Sequence, residues 1–247
     1  MFFTLEERPS DSSFVQAIWR NQSEQSGSFI STAGNHWEMV LMRYKGRSTF
    51  TLRGPEMKAT PADLPADAEW LGITFKLGTF MPDFLPGSLL DRHDVNLPES
   101  TGKSFWLCGS TWEFPTYENA DTFVNRLVRA GLLVRDPLVE DVLQAVDSSL
   151  PTPLDLSPRA LQYRFQRATG LTRKAVQQIQ RAWQATALLE QGCPILDTAY
   201  QLGYFDQSHL TNSLRRYMGQ TPAQISQALK PEQLRFFPRL RPFIEVC

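Results

Sequence analysis

Two stretches of this chain obey one rule, and that rule settles most of what its second half can become. One is SPRALQYRFQRATG, Ser157 to Gly170; the other is DQSHLTNSLRRYMG, Asp206 to Gly219. Each opens on a side-chain oxygen able to accept from the unpaired N–H groups of a helix's first turn, and the first follows it with Pro158 at the first helical position. Each then sets two large apolar residues four apart, Leu161 with Phe165 and Leu210 with Leu214, which puts both on one helical face. Each stops at a glycine, suited to the left-handed cap of a helix C-terminus. Two short helices of one design, about 158–169 and 207–218, are predicted.

The faces turned outward decide what such helices do. With Leu161 and Phe165 inward, Arg159, Gln162, Tyr163 and Gln166 face out. With Leu210 and Leu214 inward, Gln207, Ser208, Thr211, Asn212 and Arg215 face out. These are amides, hydroxyls and guanidinium groups, and no carboxylate follows Asp206 within its helix. Amides pair with adenine, guanidinium with guanine, and a Thr methyl packs on thymine in a DNA major groove. Carboxylates would be repelled by phosphate. An ordinary solvated face usually mixes Glu with its Lys and Arg, so the pattern favours nucleic acid. Before the second helix, Ile195, Ala199 and Leu202 form an apolar stripe broken by Gly203, which completes a helix-turn-helix. Between the two units, Thr172 to Gln191 reads as one helix, stopped by Gly192 and Pro194. Its buried stripe is Val176, Ile179, Ala182, Trp183, Ala185, Leu188 and Leu189. Twenty residues span about 30 Å, close to the roughly 34 Å between successive major-groove faces.

Residues from about Asp136 to Ile225 resemble the AraC/XylS transcriptional regulators. The carriers are SPRALQYRF, the ATGLT turn, Arg181 with Ala185 and Leu188-Leu189, ILDTAYQLGYFDQSHLTNSL and GQTPAQI. The resemblance implies a DNA reader with two such units bridged by a helix, and an N-terminal region that senses a small molecule or dimerises. It places base-facing positions on Arg159, Gln162, Tyr163, Gln207, Ser208, His209, Thr211 and Asn212. Arg164, Arg167, Lys174, Arg181, Arg215 and Arg216 are candidates for phosphate contact or for packing, and Arg181 is equally a candidate for an internal salt bridge. The chain departs from the family before the first reading helix, where SSLPTPLDLS replaces a scaffold helix; Pro151 and Pro153 interrupt any helix there. The first unit is therefore expected to read bases less well than the second.

Charge is divided along the chain. Residues 1–150 carry 13 Lys+Arg against 20 Asp+Glu, a net of −7; the rest carry 12 against 6, a net of +6. An acidic front and a basic back fit a sensor or dimerisation domain joined to a nucleic-acid binder. Cys108, Cys193 and Cys247 are scattered and form no CxxC, as expected of a reducing cytoplasm. The N-terminus turns acidic too soon for a signal peptide, and no apolar run nears the ~20 residues of a membrane helix.

Residues 1 to about 118 read as strands. Ser13–Trp19, Phe29–Thr32, Trp37–Tyr44, Arg47–Arg53 and Trp70–Leu77 are candidates, with a tight Lys45-Gly46 turn making a hairpin of the third and fourth. Pro61 to Ala68, rich in Pro, Ala and Asp, reads as a loop, and Pro82 and Pro86 break Thr79 to Leu90 into short turns or helical bits. Asn119 is expected to cap a helix with Phe123, Leu127 and Ala130 on one face. Asp136 and Pro137 start another, with Val139, Val142, Leu143 and Val146 inside. Ser148 to Asp155 reads as a loop. The tail PEQLRFFPRLRPFIEVC lies beyond the family core and reads as a strand packed on its own protein, with contact to DNA or to the other domain as the alternative.

Chemistry in the front half is thin. His36, Glu38 and His93 reach the three ligands of a usual metal site only by accident of fold, so no metal and no cofactor are expected. No nucleophile elbow, phosphate loop or GxGxxG is present, and the chain is not read as an enzyme. Trp37, Phe50, Trp70, Phe75 and Trp106, with Trp112, are candidates to line a pocket for a small apolar or aromatic effector. The expected fold is α+β: a mainly antiparallel β barrel or sandwich over residues 1–133, cupin-like by a weaker resemblance, an all-helical double helix-turn-helix domain over 134–230, and a tail over 231–247. The expected partners are double-stranded DNA, a small effector and RNA polymerase, for a cytoplasmic monomer or homodimer. Two rivals stand beside it: a protein-interaction module with a degenerate first unit, and a cupin-type enzyme fused to a DNA reader.

Overall fold

The computed structural model describes residues 3–144 and 157–227. Its front part is built of antiparallel strands: β1 (Phe3–Arg8), β2 (Val15–Ser23), β3 (Gly27–Ser31), β4 (Glu38–Tyr44), β5 (Arg47–Arg53), β6 (Thr60–Leu64) and β7 (Ala68–Phe75). Then come β8 (Thr79–Phe80), β9 (Val95–Leu97), β10 (Glu99–Thr101), β11 (Ser104–Leu107), β12 (Ser110–Glu113) and β13 (Val134–Arg135). Six strands form the main sheet in the order β1-β2-β7-β4-β5-β9, with smaller sheets β10-β11-β12, β13-β8 and β3-β6 around it. The helices are α1 (Ala120–Arg129), α2 (Leu138–Gln144), α3 (Pro158–Thr169), α4 (Arg173–Glu190), α5 (Ile195–Gln201), α6 (Gln207–Met218) and α7 (Pro222–Gln227). The class is α+β, with antiparallel sheets first and helices last.

Alternation along the strands sorts side chains to two faces. Ile18, Met39, Leu41, Leu71 and Ile73 face a core closed by Phe123, Val124 and Leu127 of α1. Trp19, Val40 and Trp70 face the other side, under Leu64 of β6. The β4–β5 hairpin turns at Lys45 and Gly46, whose φ of 49° and 74° give the left-handed pair that matches strand twist. Residues 60–64, expected as a loop, form β6 instead, with Pro61 opposite Ile30. A two-stranded sheet has only edge strands, where a missing N–H is tolerated. In α1 the buried face is Ala120, Phe123, Val124 and Leu127, while Ala130 is exposed. The Asn119 side chain makes no cap to α1 and accepts from the Thr116 N–H at 2.8 Å. Val146, the 148–155 loop with Pro151 and Pro153, and the 231–247 tail lie outside the described residues.

The helical part is seated on the strands, not merely tethered to them. Ala33 and Phe80 belong to the same apolar cluster as Phe165, Ile179, Leu210 and Leu214. Trp183 of α4 donates through Nε1 to the Ala33 carbonyl at 3.1 Å. Gly170, the C-cap of α3, lies against Pro86 and Gly87, so close that a Cβ there would sit 2.6 Å from the Gly87 nitrogen. At the end of α6, the Tyr217 and Arg216 carbonyls accept from the N–H groups of Ala33 and Ala59, both at 2.7 Å. These are among the last four carbonyls of the helix, which have no partner within it.

Candidate nucleic-acid interface

Both reading helices are set by their caps. Ser157 Oγ accepts from the Ala160 N–H, and Asp206 Oδ1 accepts from the His209 N–H at 2.7 Å. Gly170 and Gly219 close them at φ of 74° and 71°, the left-handed conformation glycine adopts without strain. Each is twelve residues long, and neither has an acidic residue in its first turn. Between them α4, capped by Thr172 on the Ala175 N–H at 3.2 Å, has 18 residues, about 27 Å at ~1.5 Å each. Its buried stripe is Ala175, Val176, Ile179, Ala182, Ala185 and Leu189; Trp183 and Leu188 are half-buried.

The inward and outward faces divide as the spacing requires. Phe165, Leu210 and Leu214 are buried and Leu161 half-buried. Arg159, Gln162, Tyr163, Gln166, Gln207, Ser208, His209, Asn212 and Arg215 are exposed; Thr211 is half-buried and its hydroxyl donates to the Gln207 carbonyl at 2.8 Å. Since both helices contact the strands through their C-terminal ends, their N-terminal turns are left to solvent.

The basic residues fall into two groups. Arg167, Lys174 and Arg216 are exposed, with the Arg216 guanidinium 5.5 Å from the Tyr217 ring. Arg164 is half-exposed but paired within the protein: its Nε and Nη2 donate to both oxygens of Asp136, at 3.1 and 2.8 Å. Asp136 also accepts from the Leu138 N–H at 3.1 Å, so one carboxylate starts α2 and holds α3. Arg164, a candidate for phosphate contact or for packing, is thereby paired with Asp136. Arg181 lies over the Tyr204 ring at 4.5 Å, an internal contact with an aromatic face rather than with a carboxylate. Burial is the main cause that raises the Tyr204 phenol above its ordinary value; its hydroxyl lies 3.2 Å from Ser213 Oγ.

Two features of this surface were not read from the sequence. Asp136 was seen only as a helix start; its reach to Arg164, 28 residues on, has no local signal. Phe205, one residue before the α6 cap, is 91 % exposed. The pair Tyr204-Phe205 was its signal, since a turn of this length can bury only one of two adjacent rings.

The five proposed pocket aromatics are not brought together. Trp37 and Phe75 stack at 4.2 Å in the main core, where Phe50 packs on Phe105 at 4.5 Å. Trp70 is on the opposite face of the sheet and Trp106 is 47 % exposed. Trp70 does line a cavity of about 490 Å³, with Arg20, Arg43, Glu6, Glu69, Tyr117 and Glu118 among its walls. Those walls pair with one another: Arg20 bonds Glu6 at 2.7 Å and stacks over Tyr117 at 4.5 Å. Among the described residues no three His, Cys, Asp or Glu side chains converge as metal ligands, and no helix is long and apolar enough to cross a membrane.

Residues 152–228 match a family model described as a helix-turn-helix domain, of the AraC type. This segment is an AraC-type helix-turn-helix domain. Solved structures of ToxT from Vibrio cholerae are similar in outline. One, at 13% identity and a TM-score of 0.38, covers 91% of this chain and 97% of that one. Another, bound to (E)-4-(8-methylnaphthalen-1-yl)but-3-enoic acid, has the same identity and TM-score and covers 91% and 98%. A third, from strain O395, is 11% identical with a TM-score of 0.41 and covers 96% and 99%. No curated protein matches the chain.

Proposed function

We propose that α3 and α6 enter successive major grooves of one DNA duplex and read it by sequence. One observation carries this reading: both helices are gripped at their C-terminal ends and present capped N-terminal turns to solvent, with no carboxylate in either first turn beyond the Asp206 cap. Recognition helices contact base edges with their N-terminal residues. Arg159, Gln162, Tyr163 and Gln166 serve the first groove; Gln207, Ser208, His209, Thr211, Asn212 and Arg215 serve the second. Arg167, Lys174 and Arg216 contact phosphates and fix register without reading sequence. The reader spans 134–230, and 1–133 is the sensing or dimerisation region. The shared core through Ala33 and Phe80 supports this, since by it a change in the strands reaches α4 and α6.

Selection of bound duplexes from a random pool tests the proposal. The expected product is a site with two conserved blocks centred about one helical turn, 10–10.5 base pairs, apart. A single block would leave α3 without a reading role. No enrichment at low ionic strength would overturn the proposal.

A further inference from the structure

The largest apolar side chain left in water beside the proposed DNA surface is Phe205, and its surroundings hold it there. An exposed apolar residue is ordinary by itself; the position of this one is not. It sits between two anchored neighbours. Tyr204 is 6 % exposed, its ring under Arg181 and 5.1 Å from the His209 ring in an edge contact. Asp206 is the α6 cap. The Phe205 N–H itself donates to His209 Nδ1 at 3.2 Å. With its backbone tied on three sides, the ring is 91 % exposed at the entry to the second reading helix. None of the groups proposed to read bases there offers a large apolar surface. Such a surface has one strong match among base edges in the major groove, the C5-methyl of thymine.

We infer that Phe205 is a specificity-determining residue that packs on a thymine methyl at the edge of the half-site read by α6. The inference rests on the reading of α6 as a groove-entering helix. The anchored backbone fixes where the ring emerges, and covering a single methyl is expected to be worth about fourfold in affinity. Thr211, six residues further along, carries a methyl on this helix that could also meet thymine.

The test uses the full chain and a duplex selected from the random pool. Each thymine of the second half-site is replaced in turn by deoxyuridine, which removes only the methyl. Binding is followed by fluorescence anisotropy. At one position the wild-type protein is expected to lose about fourfold. Phe205→Ala should bind the parent duplex at least fourfold less tightly and be indifferent to deoxyuridine at that position alone, while Phe205→Leu keeps part of the sensitivity. The exposed ring makes misfolding of these variants a minor concern, and an unchanged circular dichroism spectrum checks it. Equal affinity of Phe205→Ala and wild type overturns the inference. So does a Phe205→Ala that still responds to every deoxyuridine as wild type does, since the ring then touches sugar or phosphate only. If wild type binds no selected duplex, the groove-entering reading itself fails, and the inference with it.

Discussion

Replacing Gly170 by alanine tests how firmly the reading helices are held. Gly170 has φ of +74°, where an L-residue costs about 1–2 kcal/mol. Its added Cβ would also lie 2.6 Å from the Gly87 nitrogen and 2.7 Å from the Pro86 carbonyl carbon. Those are backbone atoms and cannot rotate away, so overpacking adds about 1–3 kcal/mol. Gly192 isolates the first effect: its φ is +87°, yet nothing lies within 4 Å of a Cβ there. Gly219 is intermediate, at φ +71° with its Cβ 2.6 Å from Ile30 Cγ2, the end of a side chain that can turn. Unfolding followed by circular dichroism should rank the losses Gly170→Ala, then Gly219→Ala, then Gly192→Ala. The gap between the first and last, about 1–3 kcal/mol, is roughly 2–12 °C in Tm for a chain of this size. Equal midpoints for Gly170→Ala and Gly192→Ala would refute the docking of α3 on the 86–87 segment.

Further outcomes follow from single contacts. Asn212→Ala or Gln207→Ala should cost about 1–3 kcal/mol in binding to a selected duplex and relax preference at one base, with a smaller loss for Gln162→Ala; equal losses at both helices would show the first unit fully competent. Arg164→Ala should lower stability by at most about 1 kcal/mol, because its partly exposed pair with Asp136 is screened, and leave the salt dependence of DNA binding unchanged. Arg167→Ala, Lys174→Ala and Arg216→Ala should each reduce that dependence by about one phosphate contact, a slope of ~0.9. Burial, helped by the hydrogen bond to Asp83, pushes the Cys108 thiol up to about 11. Its alkylation rate should keep climbing tenfold per pH unit beyond pH 9, and a plateau below pH 9 would contradict this.

What the sequence disclosed was local in origin. Ser157, Thr172 and Asp206 could be read as caps because a capping oxygen acts within three residues. Lys45-Gly46 could be read as a hairpin turn because two adjacent residues must take positive φ. The amide and hydroxyl faces of α3 and α6 were legible from helical spacing alone. What stayed hidden depends on distant pairing. Pro61 looked like loop punctuation until β3 supplied a partner that needed no N–H from it. The Asp136–Arg164 pair and the Ala33 and Ala59 bonds to α6 join residues far apart in the chain, and small residues offering only backbone groups leave no trace in composition. The aromatics of the strands were visible as a set, but which face each takes is a matter of register; this is why Trp37 and Trp70 fall on opposite sides of one sheet.

Affinity for a selected duplex and for its shuffled counterpart, measured across a salt series, bears most directly on the central claim. The expected result is a log affinity that falls linearly with log salt for both, with the selected duplex bound about 10³-fold or more tightly than the shuffled one. Equal affinity for the two duplexes, or no binding to either at low ionic strength, would contradict it.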